Sequence, residues 1–137
     1  MKGKILIINP GSTSTKIGFY DHGQQLFETN LTHSAEEIAK YESVMDQGAM
    51  RREAITGFLA ENGVEIDSID LIMARGGLIT PIKAGVYEVT PKMREALISG
   101  KDGVHACNLS ALIADDMASD INKSRQAKGE SAICKAY

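Results

Sequence analysis

The sequence predicts an α/β domain. Three observations carry that prediction: a pair of short apolar runs near the N-terminus, a long helical pattern after them, and a further apolar run that leads into Arg75-Gly76-Gly77. A strand, long helix, strand order implies a right-handed crossover into parallel pairing.

The first run, Ile5 to Ile8, is too short for most helices and is closed by Asn9, Pro10 and Gly11. It reads as a buried strand. Ile17 to Tyr20 forms a second strand, so the two make a hairpin with Asn9, Gly11, Ser12, Thr13, Ser14, Thr15 and Lys16 at its tip. Gln24 to Leu31 supplies a third strand after the Asp21-His22-Gly23 turn. His33 stands beside the next helix start, as a surface or capping residue without chemistry.

Ser34 to Asn62 is the longest helical pattern, opened by a capping box of Ser34 and Glu37. Ile38, Tyr41, Met45, Ala49, Ile55 and Leu59 recur at mostly helical spacing, with Gly48 and Gly57 marking a kink or break near Gln47. Arg51, Arg52 and Glu53 read as a solvated face. Ile66 to Ala74 follows as a strand, and Val86 to Val89 as another short one. Thr90 and Pro91 open a helix as N-cap and first helical residue, and Gly100 ends it after Ser99. A final helix starts at His105-Ala106-Cys107-Asn108-Leu109 and turns Leu109, Leu112, Ile113, Met117 and Ile121 to one face.

The chain has 137 residues, 43% hydrophobic and 24% charged, with net charge −3. That length makes one domain, burying roughly two-thirds of its unfolded surface. The charge balance argues against a nucleic-acid partner. No apolar stretch approaches a membrane span, and the N-terminus carries no signal-peptide pattern. Cys107 and Cys134 make neither a disulfide framework nor a metal knuckle, which fits a reducing cytoplasm.

The hairpin tip has the chemistry of an oxyanion cradle. Gly11 permits close backbone approach. Successive N–H groups can converge on a phosphate, the Ser12, Thr13 and Ser14 hydroxyls add donors, and Lys16 adds a point charge. Asn9 offers an amide oxygen for a metal-bound water or a phosphate contact. Thr15 stands where a Walker A loop needs glycine, so the tip is not one. An ordinary solvated turn is the alternative, but it needs no string of four hydroxyls ending in lysine.

Arg75 would stand at the carboxyl end of its strand, where ligand sites of α/β sheets gather. Its guanidinium can hold a carboxylate or phosphate by two parallel hydrogen bonds. Spacing alone leaves a surface arginine before a Gly-Gly turn equally open. His105 and Asn108 are three apart and can share a helix face. They line a site, or the histidine caps the helix. Cys107 fits a small buried filler.

N-P-G-S-T-S-T-K, Asn9 to Lys16, resembles the opening phosphate motif of the acetokinase family, the acetate, propionate and butyrate kinases. That family shares a superfamily with sugar kinases, actin and heat-shock ATPases, where an aspartate usually stands in place of Asn9. A-R-G-G-L-I-T-P-I-K-A-G-V-Y-E-V, Ala74 to Val89, resembles butyrate kinase over its full length. H-A-C-N-L-S-A-L-I-A resembles an H-x-x-N-L segment near the family's active cleft.

The resemblance implies a ribonuclease-H-like domain, with antiparallel hairpin strands followed by parallel strands and packing helices. It implies reversible phosphoryl transfer between ATP and butyrate or a related short-chain carboxylate, with Mg2+. Arg75 would bind substrate and stabilise the migrating group, and His105 would be a lesser catalytic residue. Gly76, Gly77 and Asn108 would shape the substrate pocket. Gly11, Ser12, Thr13, Ser14 and Lys16 would hold phosphate oxygens, and Asn9 would place the metal or its waters. Lys83 is assigned no role.

The resemblance covers Lys4 to Ile121. Residues 1–121 are therefore expected as an incomplete N-terminal domain, and 122–137 as an atypical polar tail from a truncation or shifted reading frame. The family's catalytic acid, second histidine and adenosine loops would lie elsewhere, so the chain alone is expected to be inactive. The rival expectations are a non-catalytic phosphate-binding or self-associating remnant, pairing through an exposed sheet edge, and half of a sugar kinase. Asn9 and the Ala74 to Val89 segment oppose the last.

Overall fold

A computed structural model describes residues 3–137. β1 (Lys4–Pro10), β2 (Ser14–Asp21) and β3 (Gln24–Thr32) form an antiparallel meander. β4 (Leu71–Ala74) pairs parallel to β1, and β5 (Lys135–Ala136) parallel to β4. The sheet order is β3-β2-β1-β4-β5. This order and polarity are those of the ribonuclease-H-like sheet.

Because side chains alternate along a strand, the apolar run of β1 divides between two faces. Leu6 and Ile8 point to one face together with Ile17, Phe19, Ile72 and Ala136, their partners in register or neighbours of those partners. That face carries the core, closed by Ile55 and Leu59 of α2 (Gly48–Glu61), Leu97 of α3 (Pro91–Ser99) and Leu109, Ile113, Met117 and Ile121 of α4 (Asn108–Ala127). Phe19 stacks on Phe27, which meets Phe58 edge-on. The opposite face carries Ile5, Ile7, Asn9, Lys16, Gly18 and Tyr20, and Ile7 remains 36% exposed.

The long helical pattern divides. Ser34 caps a single turn, α1 (Ala35–Ile38), by accepting from the Glu37 N–H. The chain then leaves the helix, and Val44–Gln47 forms a 3₁₀ turn before α2. Ser43 Oγ accepts from Met45 N–H and Asp46 Oδ2 from Ser43 N–H, both at 3.2 Å, a capping box that opens a new turn instead of continuing α1. The interruption at Ala39–Ser43 lies ahead of the position near Gln47 that the two glycines suggest, and α2 runs unbroken through Gly57.

β4 starts at Leu71, later than Ile66, because Ile66–Ser68 is a 3₁₀ turn. Val86 to Val89 is not a strand. Val86 is 68% exposed, and the segment's backbone link to the sheet is the Val89 N–H bond to Ala136 O at 2.9 Å. α3 keeps its expected bounds, with Thr90 Oγ1 accepting from Met93 N–H and Gly100 left-handed at φ 64°.

Residues 122–137 are continuous with the domain. α4 runs through Ile121 to Ala127, and Arg125 on its last turn is buried. Asn122 exchanges two hydrogen bonds with the Cys134 backbone, at 2.7 and 2.9 Å, which brings β5 onto β4. Burial raises the Cys134 thiol to about 11. Both cysteines are free, and no helix among the described residues is long and apolar enough to cross a membrane.

Candidate functional site

The Asn9–Lys16 and Ile8–Ala74 pairings define the site. Directly opposed residues share a face, so Lys16 stands beside Asn9. Arg75 follows one step beyond the Ile8–Ala74 pair, with its N–H on Ile8 O at 3.0 Å, and so stands at the other side of Asn9. Its Nη1 donates to Asn9 Oδ1 at 3.4 Å. Lys16, Asn9 and Arg75 thus form a row across β2, β1 and the end of β4, at the carboxyl ends of the parallel pair. Arg75 and Lys16 are exposed, and Lys16 is paired with Glu28 at 2.7 Å.

The bend beside this row is shorter than the tip read from sequence, because Ser14, Thr15 and Lys16 belong to β2. Gly11 N–H donates to Ser14 O at 2.7 Å and closes it. The N–H groups of Ser12 and Thr13 donate to no acceptor among the described residues. Ser12 and Thr13 are exposed, while Gly11 and Ser14 are half-buried. The Thr15 hydroxyl, by contrast, is buried and faces inward.

Beneath the bend lies Arg51, fully buried at 0% exposure rather than on a solvated face. Nη1 donates to Ser14 O at 2.9 Å and Thr15 Oγ1 at 3.1 Å. Nη2 donates to Ser12 O at 3.1 Å and Gln47 Oε1 at 2.9 Å, and Nε to Gln47 Oε1 at 3.2 Å. These bonds occupy all five guanidinium donors. Burial lowers the Arg51 pKa. His33 is also buried, with Nε2 2.8 Å from Thr15 Oγ1 and its N–H on Thr13 O at 2.9 Å. Thr15 Oγ1 thus joins the Arg51 guanidinium to the His33 ring. Desolvation first, then the Arg51 charge, hold the His33 pKa below the usual range, against a smaller opposing pull from Glu37.

Sequence reasoning passed over Arg51 although its signal was present. Gln47, Arg51, Ile55 and Leu59 recur every fourth residue and all are buried. Reading the three charges at 51–53 as a block hid that stripe.

The segment after Arg75 borders a cavity of about 300 Å³, lined by Arg75, Gly77, Ile82, Tyr87, Met93 and Leu97 among others. Gly76 is open to solvent, whereas Gly77 is required by space: a Cβ there would lie 2.6 Å from Leu97 Cδ2 and 3.0 Å from Asn108 Cα. Asn108 does not line the cavity. Its Oδ1 accepts from Leu78 N–H and its Nδ2 donates to Gly103 O, both at 2.9 Å, so the buried amide holds the loop from behind. His105 is exposed and turns back on its own helix start. Its Nδ1 accepts from Cys107 N–H at 3.2 Å, just ahead of α4, and it is not among the cavity residues. Ser110 was not anticipated from sequence; its hydroxyl ties α4 to Ile8 O at 2.9 Å.

A magnesium ion would find only neutral oxygens here, Asn9 Oδ1, which already faces Arg75, and the exposed Ser12 and Thr13 hydroxyls. Among the described residues no group of three or more His, Cys, Asp and Glu side chains could hold a metal. These residues do not by themselves fit a magnesium site.

No family model matches the chain. It is 49% identical over 119 residues to butyrate kinase 1 of Clostridium acetobutylicum, covering 87% of this chain and 34% of that protein. Probable butyrate kinases of two Clostridium botulinum strains are 43% identical over 122 residues, covering 89% of this chain and 34% of theirs. Among solved structures, YeaZ from Pseudomonas aeruginosa overlays 94% of this chain and 51% of its own, with 10% identity and a TM-score of 0.49. By sequence, this chain is similar to the butyrate kinases and spans about a third of the length of those it matches.

Proposed function

We propose that this chain is the phosphoryl-holding part of a carboxylate kinase, acting between ATP and butyrate or a related short-chain acid. The observation that carries the reading is the row Lys16, Asn9 and Arg75 on one sheet face, next to a bend with unengaged N–H groups. In this reading a carboxylate oxygen attacks the γ-phosphorus. The bond to the bridging oxygen breaks, and ADP leaves with the electron pair. Such transfer depends on positioning and charge neutralisation more than on covalent chemistry.

Each residue then has a task. Ser12 and Thr13 N–H groups and the Lys16 ammonium take phosphoryl oxygens. Arg75 grips the carboxylate and spans toward the migrating group, and Asn9 holds Arg75 in place. The mostly apolar cavity beside Arg75 takes the alkyl chain. Acids differing by one or two methylenes are then separated by about 1–3 kcal/mol.

The adenosine and the opposite wall of the cleft have no candidate among these residues, so the chain alone turns over little or no substrate. Mixing it with ATP, magnesium and butyrate should give no ADP above background. Robust turnover would contradict that expectation. Calorimetric titration with phosphate, ATP and butyrate tests the binding roles: binding that is lost in Arg75→Ala supports them, and sugar binding would replace them with a sugar-kinase reading.

A second reading, self-association, is favoured by β3. It is a nine-residue edge strand, and Leu26 on it is 52% exposed. Sedimentation of the chain decides it, a dimer supporting the reading and a monomer at high concentration removing it.

A further inference from the structure

We propose that Arg51 is the positioning residue of the phosphoryl-binding bend, and that its buried charge is left without a carboxylate so that a bound oxyanion supplies the counter-charge. The inference deepens the reading above and rests on it for the identity of the anion.

The first argument is geometric. Arg51 draws the carbonyls of Ser12 and Ser14 inward, at 3.1 and 2.9 Å. In a planar trans peptide the N–H points opposite to the C=O. Fixing Ser12 O toward Arg51 therefore turns the Thr13 N–H outward, and that N–H has no protein acceptor among the described residues. His33 N–H fixes the next carbonyl, Thr13 O, from the β3 side at 2.9 Å. The bend is thus held from beneath at consecutive peptides while its outer surface stays free.

The second argument is electrostatic. No carboxylate among the described residues lies within ion-pairing distance of Arg51, although its side chain is fully buried. Burying a lone cation is unfavourable, and its Thr15 and Gln47 partners are neutral. The carbonyls it polarises relay the positive potential to the N–H groups on the far side of the bend. A phosphoryl oxygen at Thr13 N–H would be stabilised by that field, and a neutral ligand would not.

Amide hydrogen exchange followed by NMR, together with titration by inorganic phosphate, tests this on the chain and on Arg51→Met and Arg51→Lys. In Arg51→Met the amides of Gly11 and His33, which close the bend, should exchange about tenfold faster, while β1 and α4 core amides keep their rates. Phosphate affinity should fall by about tenfold as well. Arg51→Lys keeps the charge without the fork and should fall between. Unchanged exchange at Gly11 and His33 in Arg51→Met, or phosphate affinity equal to the unsubstituted chain, overturns the proposal. Should both variants fail to fold, Gln47→Met releases the guanidinium from the other side. The same two amides must then accelerate, and if they do not the proposal falls. If the unsubstituted chain itself takes no phosphate, the phosphoryl reading fails. The exchange result alone then decides whether Arg51 holds the bend.

Discussion

Two arginines are buried in this domain, and they do opposite things. Arg125, at 3% exposure, donates to Asp67 O and Ile69 O at 2.8 Å and has Asp70 Oδ1 at 3.6 Å. It clamps the end of α4 to the turn that enters β4, far from the bend, with a carboxylate to balance it. Arg51 makes five bonds, is more deeply buried, and has only neutral partners. Counting hydrogen bonds would rank Arg51 as the stronger staple. Counting charges ranks it as a residue kept at some expense of stability for what it does to the surface above it.

Substitution by methionine separates these rankings most sharply. Arg125→Met strands the carbonyls of Asp67 and Ile69, and should lose about 3 kcal/mol in denaturant unfolding. Gly77→Ala forces Leu97 or the Asn108 backbone to move, and should lose about 1–3 kcal/mol. Arg51→Met also strands acceptors, among them Thr15 Oγ1 and Gln47 Oε1, but it removes a charge that has no carboxylate, so its loss should be smaller than that of Arg125→Met. A loss for Arg51→Met larger than for Arg125→Met would reverse the comparison. Lys16→Ala breaks a half-exposed pair with Glu28 and should change stability by less than about 1 kcal/mol while weakening phosphate binding.

A pH series sharpens the same contrast. His33 is held below its usual value of 6.5, so the unfolded chain takes its proton first. Stability is then complete above pH 6.5 and declines as the pH falls toward the folded-state value. His33→Gln should flatten that decline. Arg51→Met should lessen it, because part of the depression comes from the Arg51 charge. An identical slope in all three proteins would show that His33 does not sense Arg51.

Much of this was legible in the sequence because local rules and tertiary packing agreed there. The β1–β2 hairpin, the α3 caps and the apolar stripe of α4 are set by turn chemistry and periodicity, and the structure keeps them. Arg75 at the carboxyl end of a parallel strand followed from the strand, helix, strand order, whereas its place beside Asn9 came only with the β1–β4 register. Residues whose role depends on distant partners were not legible. Arg51 reads as surface until the bend lies on it, and Asn108 reads as site-lining until Leu78 and Gly103 claim its amide. Val86 to Val89 has strand composition, but the place beside β4 belongs to Lys135–Ala136, fixed by Asn122 through contacts no periodicity encodes.

The most direct measurement is a phosphate titration of the uniformly labelled chain followed through its backbone amides and arginine Nε–H signals. Saturable shifts should concentrate at Ser12, Thr13, Lys16 and the Arg75 side chain. Shifts confined to other regions, or none at these four, would contradict the claim that this row and bend hold phosphoryl oxygens.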